Sequence, residues 1–191
     1  MTTNRMEAFS DGVIAIIITI MVLELRVPHE ANLAALQPLV PVFLSYVLSF
    51  IFLGIYWSNH HHLLHAVDHV DGRILWANLH LLFWLSLVPF VTAWMGENHL
   101  APIPVALYGA VLFMDAVAYT LLMLLLVRHE GPDSLLAQAM GRDVKGKASL
   151  VIYASAVAIA FVQPLISVVL YVTVAVIWFI PDRRIERRLP V

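Results

Sequence analysis

The side chains best equipped for chemistry crowd one stretch of the chain. His60, His61, His62, His65 and His69 fall within ten positions, and Asp68 and Asp71 lie beside them. If the stretch is helical, His61, His65 and His69 repeat every four residues and share a face, which is a pattern that holds metals. The same imidazoles have a second reading. At a membrane–water boundary they are solvated and can hydrogen-bond free backbone ends. No resident metal is assigned, and His61, His65 and His69 are carried as a candidate surface site only.

Three carboxylates lie in or against apolar runs: Asp11, Glu24 and Asp115. A charge at the centre of a membrane helix costs about 3 kcal/mol even on lenient scales, so each calls for a reason. Asp11, next to Ser10 and one turn inside the first run, either caps free amides at a helix start or meets a partner. Asp115 is too far from either end of its run to snorkel. It must face a partner, a water-filled cavity, or be protonated.

Other chemistries fall away. There is no cysteine, which removes disulfides, thiolate catalysis and cysteine-type zinc sites. No Gly-x-Ser-x-Gly stretch supplies a serine nucleophile, and with only His80 deep in an apolar run there is no facing histidine pair for haem. A divalent-metal carrier needs ligands from separate helices near mid-membrane, and the fifth helix, 148–163, offers Tyr153, Ser155 and Gln163 but no imidazole or carboxylate. No enzymatic activity and no cofactor are expected. The formal net charge of −2 suggests no nucleic-acid partner.

The elements that position these residues are membrane helices. The 191 residues are 61% hydrophobic and 13% charged, against roughly one-quarter charged in soluble domains. Glu7 and Asp11 precede the first run, so it does not read as a cleaved leader and is expected to remain as a helix. Runs of near 20 apolar residues are long enough to cross a bilayer. They predict helices over about 7–26, 38–59, 74–95 and 103–127. The region 148–180 is too long for one crossing at 1.5 Å per residue, and Gln163-Pro164 at its middle divides it into 148–163 and 165–180.

Six crossings put Arg5, Arg73, Arg128, Arg142, Lys145, Lys147, Arg183, Arg184, Arg187 and Arg188 on one side, with Arg26 alone opposite. By the positive-inside rule both termini are then cytoplasmic. The expectation is an all-α, multi-pass protein of the cell (plasma) membrane, with residues 1–191 forming a single six-helix domain in contact with lipid. The C-terminal arginines serve as topology anchors, or as a site for anionic lipid.

A resemblance sharpens this reading. Arg5-Met6-Glu7-Ala8-Phe9-Ser10-Asp11 resembles the Arg-x-x-x-Phe-Ser-Asp signature opening the first helix of the transmembrane protein 175 family. These are the endolysosomal potassium channels and their prokaryotic relatives. The likeness continues through Tyr56-Trp57-x-x-His60-His61, Asp71, Asn78, Pro89-Phe90-x-Thr92 and Gly96-Glu97. It is clearest over residues 5 to 97, while later runs agree in hydropathy and length. His62 and Leu64 depart from the family, where relatives often carry a basic residue and a phenylalanine.

The resemblance implies a potassium-selective channel lacking the usual Thr-Val-Gly-Tyr-Gly filter, a motif indeed absent here. It implies a pore lined by the first helix, with a constriction at Ile16, Ile20 and Leu23 and with Thr19 on or beside the path. It also implies a network of Arg5, Phe9, Ser10, Asp11, Trp57, His60, His61 and Asn78 joining the first three helices. A single Phe-Ser-Asp unit implies a homotetramer. The alternative is a secondary transporter of a divalent metal or a proton-coupled substrate, built on Asp115 and the histidines.

Overall fold

A computed structural model of the chain describes residues 2–140 and 143–179. Arg142, Arg183, Arg184, Arg187 and Arg188, used above for topology, lie outside the described residues.

The described residues are almost entirely helical. The helices are α1 (Thr3–Leu23), α2 (Val40–His65), α3 (Gly72–Leu85), α4 (Val88–Glu97), α5 (Pro102–Glu130), α6 (Leu135–Met140), α7 (Val144–Ala160) and α8 (Pro164–Phe179). A 3₁₀ segment, Leu33–Leu39, leads into α2 and starts where the Asn32 side chain accepts the Ala35 N–H (3.0 Å). Among the described residues, Thr3–Leu23, Leu33–His65, Gly72–Glu97 and Pro102–Glu130 are long and apolar enough to cross a membrane.

Helix ends depart from the hydropathy reading where polar residues continue a helix or apolar ones fail to. α2 does not stop near residue 59 but runs through the histidines to His65, with His60 turned into the bundle and His65 facing outward. α1 starts earlier and ends at Leu23. Glu24 is its exposed C-cap rather than a charge at membrane depth, and its N–H reaches back to the Met21 and Val22 carbonyls.

The expected third helix, 74–95, is interrupted at Ser86–Leu87. Pro89 has no N–H, and its ring clashes with the carbonyl four residues back, so the chain tightens to a three-residue turn there, the Leu87 N–H donating to the Trp84 carbonyl (3.0 Å). Prolines act the same way at Pro164, which opens α8 after a turn at 161–163. α7 and α8 have 17 and 16 residues, each about 25 Å long, against a hydrocarbon core of about 30 Å.

α5 is the central post, packed against α3, α4, α7 and α8, while α2 lies on α1 and α4. Tyr108, Leu112, Asp115, Ala118 and Leu122 of α5 are fully buried or nearly so. α5 approaches α8 so closely that a Cβ on Gly109 would overlap the Tyr171 hydroxyl. That hydroxyl donates to the Val105 carbonyl (3.1 Å). α5 ends on Gly131, whose φ of 94° is a conformation that suits glycine.

Candidate functional site

α1 has two unlike faces. Met6, Ser10, Ile14, Ile17 and Met21 recur at helical spacing and are buried against the bundle. Ile16, Ile20 and Leu23 are 58%, 43% and 77% exposed, with Thr19 exposed among them. The Thr19 hydroxyl donates back to the Ala15 and Ile16 carbonyls at 3.0 Å each, so its oxygen lone pairs remain free to accept. An apolar groove of about 630 Å³ runs between α1 and α4, lined by Ile16, Ile20, Pro89, Phe90 and Trp94 and also by Glu24 and Glu97. Arg26 pairs with Glu97 at 3.1 Å with both side chains in the open, an arrangement worth little energetically.

The opposite edge of α1 is fastened to α2 and α3 by a ladder. Trp57 Nε1 donates to Asp11 Oδ1 at 3.0 Å. One turn along both helices, His61 Nδ1 meets Glu7 Oε1 at 2.5 Å. Between these rungs and the core, Asn78 Nδ2 donates to Ser10 Oγ (2.9 Å), while Asn78 Oδ1 meets His60 Nε2 (2.7 Å). Ser10, His60 and Asn78 are all buried, so these bonds form where water does not compete. Below the ladder, Thr3 N–H donates to the Asp68 carbonyl (3.2 Å) and Thr2 bridges to His69.

The rungs follow from register. α1 and α2 run antiparallel, so steps of four on one meet steps of four on the other: Glu7 and Asp11 against His61 and Trp57. Asp11 is in the third turn of α1, too far in to cap the helix, which disposes of its capping reading. Asp71 takes a capping role instead. Its carboxylate accepts the Ile74 N–H at the start of α3 (2.9 Å), and that bond holds it below the usual carboxylate range.

Some expected members stand apart. Phe9 is 55% exposed and has no polar atom on its side chain, and Arg5 is exposed, its side chain making no hydrogen bond or ion pair to the ladder residues. Neither belongs to the ladder. His69 is past the end of α2 and does not extend the face of His61 and His65. The third donor beside those two is Glu7.

Asp115 is fully buried on α5, and among the described residues neither of its oxygens is hydrogen-bonded. Sequence reading also missed a hydroxyl chain in which Ser49 Oγ lies 2.6 Å from Thr92 Oγ1 and 3.0 Å from the Tyr108 hydroxyl, tying α2 to α4 and α5. Its signals in the sequence are Ser49 inside an apolar run and Thr92, which also belongs to the Pro89-Phe90-x-Thr92 stretch.

Comparison with known proteins places this geometry in a family. A family model described as endosomal/lysosomal potassium channel TMEM175 matches residues 5–89. A potassium channel of Chryseobacterium sp. (strain P1-3) is 54% identical over 189 residues, covering 99% of this chain and 98% of that one. A potassium channel of Chamaesiphon minutus is 33% identical over 150 residues, covering 73% of this chain and 72% of that one. The crystal structure of a lysosomal potassium-selective channel TMEM175 homolog from Chamaesiphon minutus superposes with a TM-score of 0.82 at 28% identity, covering 95% of this chain and 97% of that one. The chain belongs to the TMEM175 family.

Proposed function

We propose that this chain is a subunit of a potassium channel whose pore is lined by α1. The observation that carries the reading is the asymmetry of α1, clamped by the ladder on one edge and bare along Ile16, Thr19, Ile20 and Leu23 on another. The relatives above, which are named as potassium channels, support the choice of ion.

Four copies placed about a closed axis bring four such faces together. A ring of Ile16 side chains closes the path by dewetting, because water and a hydrated ion find no hydrogen bonds between them. Selection comes from the cost of dehydration, lower for potassium than for the smaller sodium, with Thr19 oxygens offering acceptors next to the ring. The ladder of Ser10, Asp11, Trp57, His60, His61 and Asn78, with Glu7, fixes the rotation of α1 and does not touch the ion. No cofactor takes part.

In the membrane, α1, α2, α3 with α4, and α5 cross in turn, and α7 and α8 supply the last two, shorter crossings. Both termini face the cytoplasm, and the channel resides in the cell membrane. No observation favours the transporter alternative: the donors that meet near the histidines include Glu7 and not Asp115.

A potassium-gradient flux assay on purified protein in liposomes, with sodium and proton controls, tests the reading. Potassium flux is expected in the wild type and a clear increase with Ile16→Asn, which places a polar side chain in the ring. Unchanged flux in that variant would remove Ile16 from the pore.

A further inference from the structure

Where the last turn of α2 meets the first turns of α1, Glu7, His61 and His65 each present a donor atom, all within 4.8 Å of one another. The rings of His61 and His65 lie side by side, centroids 4.9 Å apart, one helical turn along the same face. Glu7 comes from the facing helix, and its side chain is 15% exposed against 42% for His61. The donors are therefore partly sheltered yet open to solvent on the His65 side, where an ion can enter.

We propose that Glu7, His61 and His65 form a binding site for a zinc-type divalent transition metal, one per chain, that joins α1 to α2. Two imidazole nitrogens and one carboxylate oxygen, with water in the fourth position, are a donor set that such ions accept in tetrahedral geometry. Ligands at ~2.0–2.2 Å from one ion stand ~3.3 Å apart, so donors already within 4.8 Å need only side-chain rotation and no movement of the helices. The ion enters between the His61 Nδ1 and Glu7 Oε1 atoms, which already face each other at 2.5 Å. Occupancy replaces the direct His61–Glu7 rung with one bridged by the ion and pins the start of α1. The neighbouring His62 and His69 take no part, since the cluster of donors does not include them.

The test uses untagged full-length protein in detergent, titrated with zinc, with bound metal measured by equilibrium dialysis and thermal unfolding recorded in parallel. The expected result is saturable binding of one zinc per chain with a rise in melting temperature. His65→Ala, at an exposed position outside the ladder's hydrogen bonds, weakens binding by roughly tenfold or more and removes the thermal shift. His62→Ala and His69→Ala bind as the wild type does. Equal affinity in wild type and His65→Ala, a loss caused by His62→Ala, or no saturable binding would each overturn the site. Because the readout is metal binding and not flux, its failure leaves the channel reading untouched.

Discussion

Asn78 uses both ends of its amide: the NH₂ donates to Ser10 and the carbonyl faces His60 Nε2, which fixes that nitrogen as the one carrying the proton. Asn78→Leu keeps the branched shape but strands the buried His60 Nε2, a loss of about 1–3 kcal/mol, and removes the donor to Ser10, whose hydroxyl keeps its bond to the Met6 carbonyl (2.9 Å). A lower unfolding temperature of the purified protein and weakened assembly are expected, measured by thermal melts and by the elution of the oligomer. An unchanged melting temperature would mean the ladder carries no weight. Ser10, Asp11, Trp57, His60 and Asn78 were legible in the sequence because polar residues at fixed spacing in apolar runs stand out and resemble the family pattern. Glu7 was not legible as a partner. It precedes the apolar run and reads as a solvated charge until the antiparallel register sets it against His61. Asp115 was legible as costly but not as placed, since burial on α5 depends on four other helices closing around it.

The elements themselves were read best where proline or hydropathy alone decides. Pro164 divides the last apolar region because its ring ends one helix and suits the first turn of the next. The break between α3 and α4 has the same cause at Pro89, yet an uninterrupted apolar run concealed it. Packing between helices has no such mark in a single sequence, and Gly96 illustrates this. A Cβ there would lie 2.7 Å from the Val42 backbone Cα, so α4 and α2 cross in direct contact. Gly96→Ala forces the two helices apart and is expected to cost about 1–3 kcal/mol. Gly54, also inside a helix but with open space where its Cβ would stand, behaves oppositely: Gly54→Ala is expected to gain about 0.5–1 kcal/mol from helix propensity. Melting temperatures of the two variants moving in opposite directions would check the crossing, and a neutral Gly96→Ala would refute it.

A single copy of this molecule leaves an apolar face of α1 without a partner, and one helix cannot enclose a path for ions. Ile16, Ile20, Leu23 and the groove bounded by Phe90 and Trp94 are open along one side of α1, whereas the other side is fully committed to the bundle. Lipid can cover an apolar stripe, but in the proposed channel copies of α1 face one another across an axis, and closed rotational symmetry gives every copy the same environment. In detergent the particle is then expected to have close to four times the 21.4 kDa chain mass by light scattering, after subtraction of detergent. Mass alone does not tell whether the copies share one pore. Mixing wild-type and Ile16→Asn chains does: if one pore is lined by all copies, single-channel conductances fall into intermediate classes as well as the two parental ones, the intermediate classes one fewer in number than the copies that line the pore. If each chain conducts by itself, only the two parental conductances occur, whatever the mixing ratio. Intermediate conductances that rise with the share of Ile16→Asn would therefore place Ile16 of every copy around one axis, and their absence would separate the pore from α1 even in an intact tetramer.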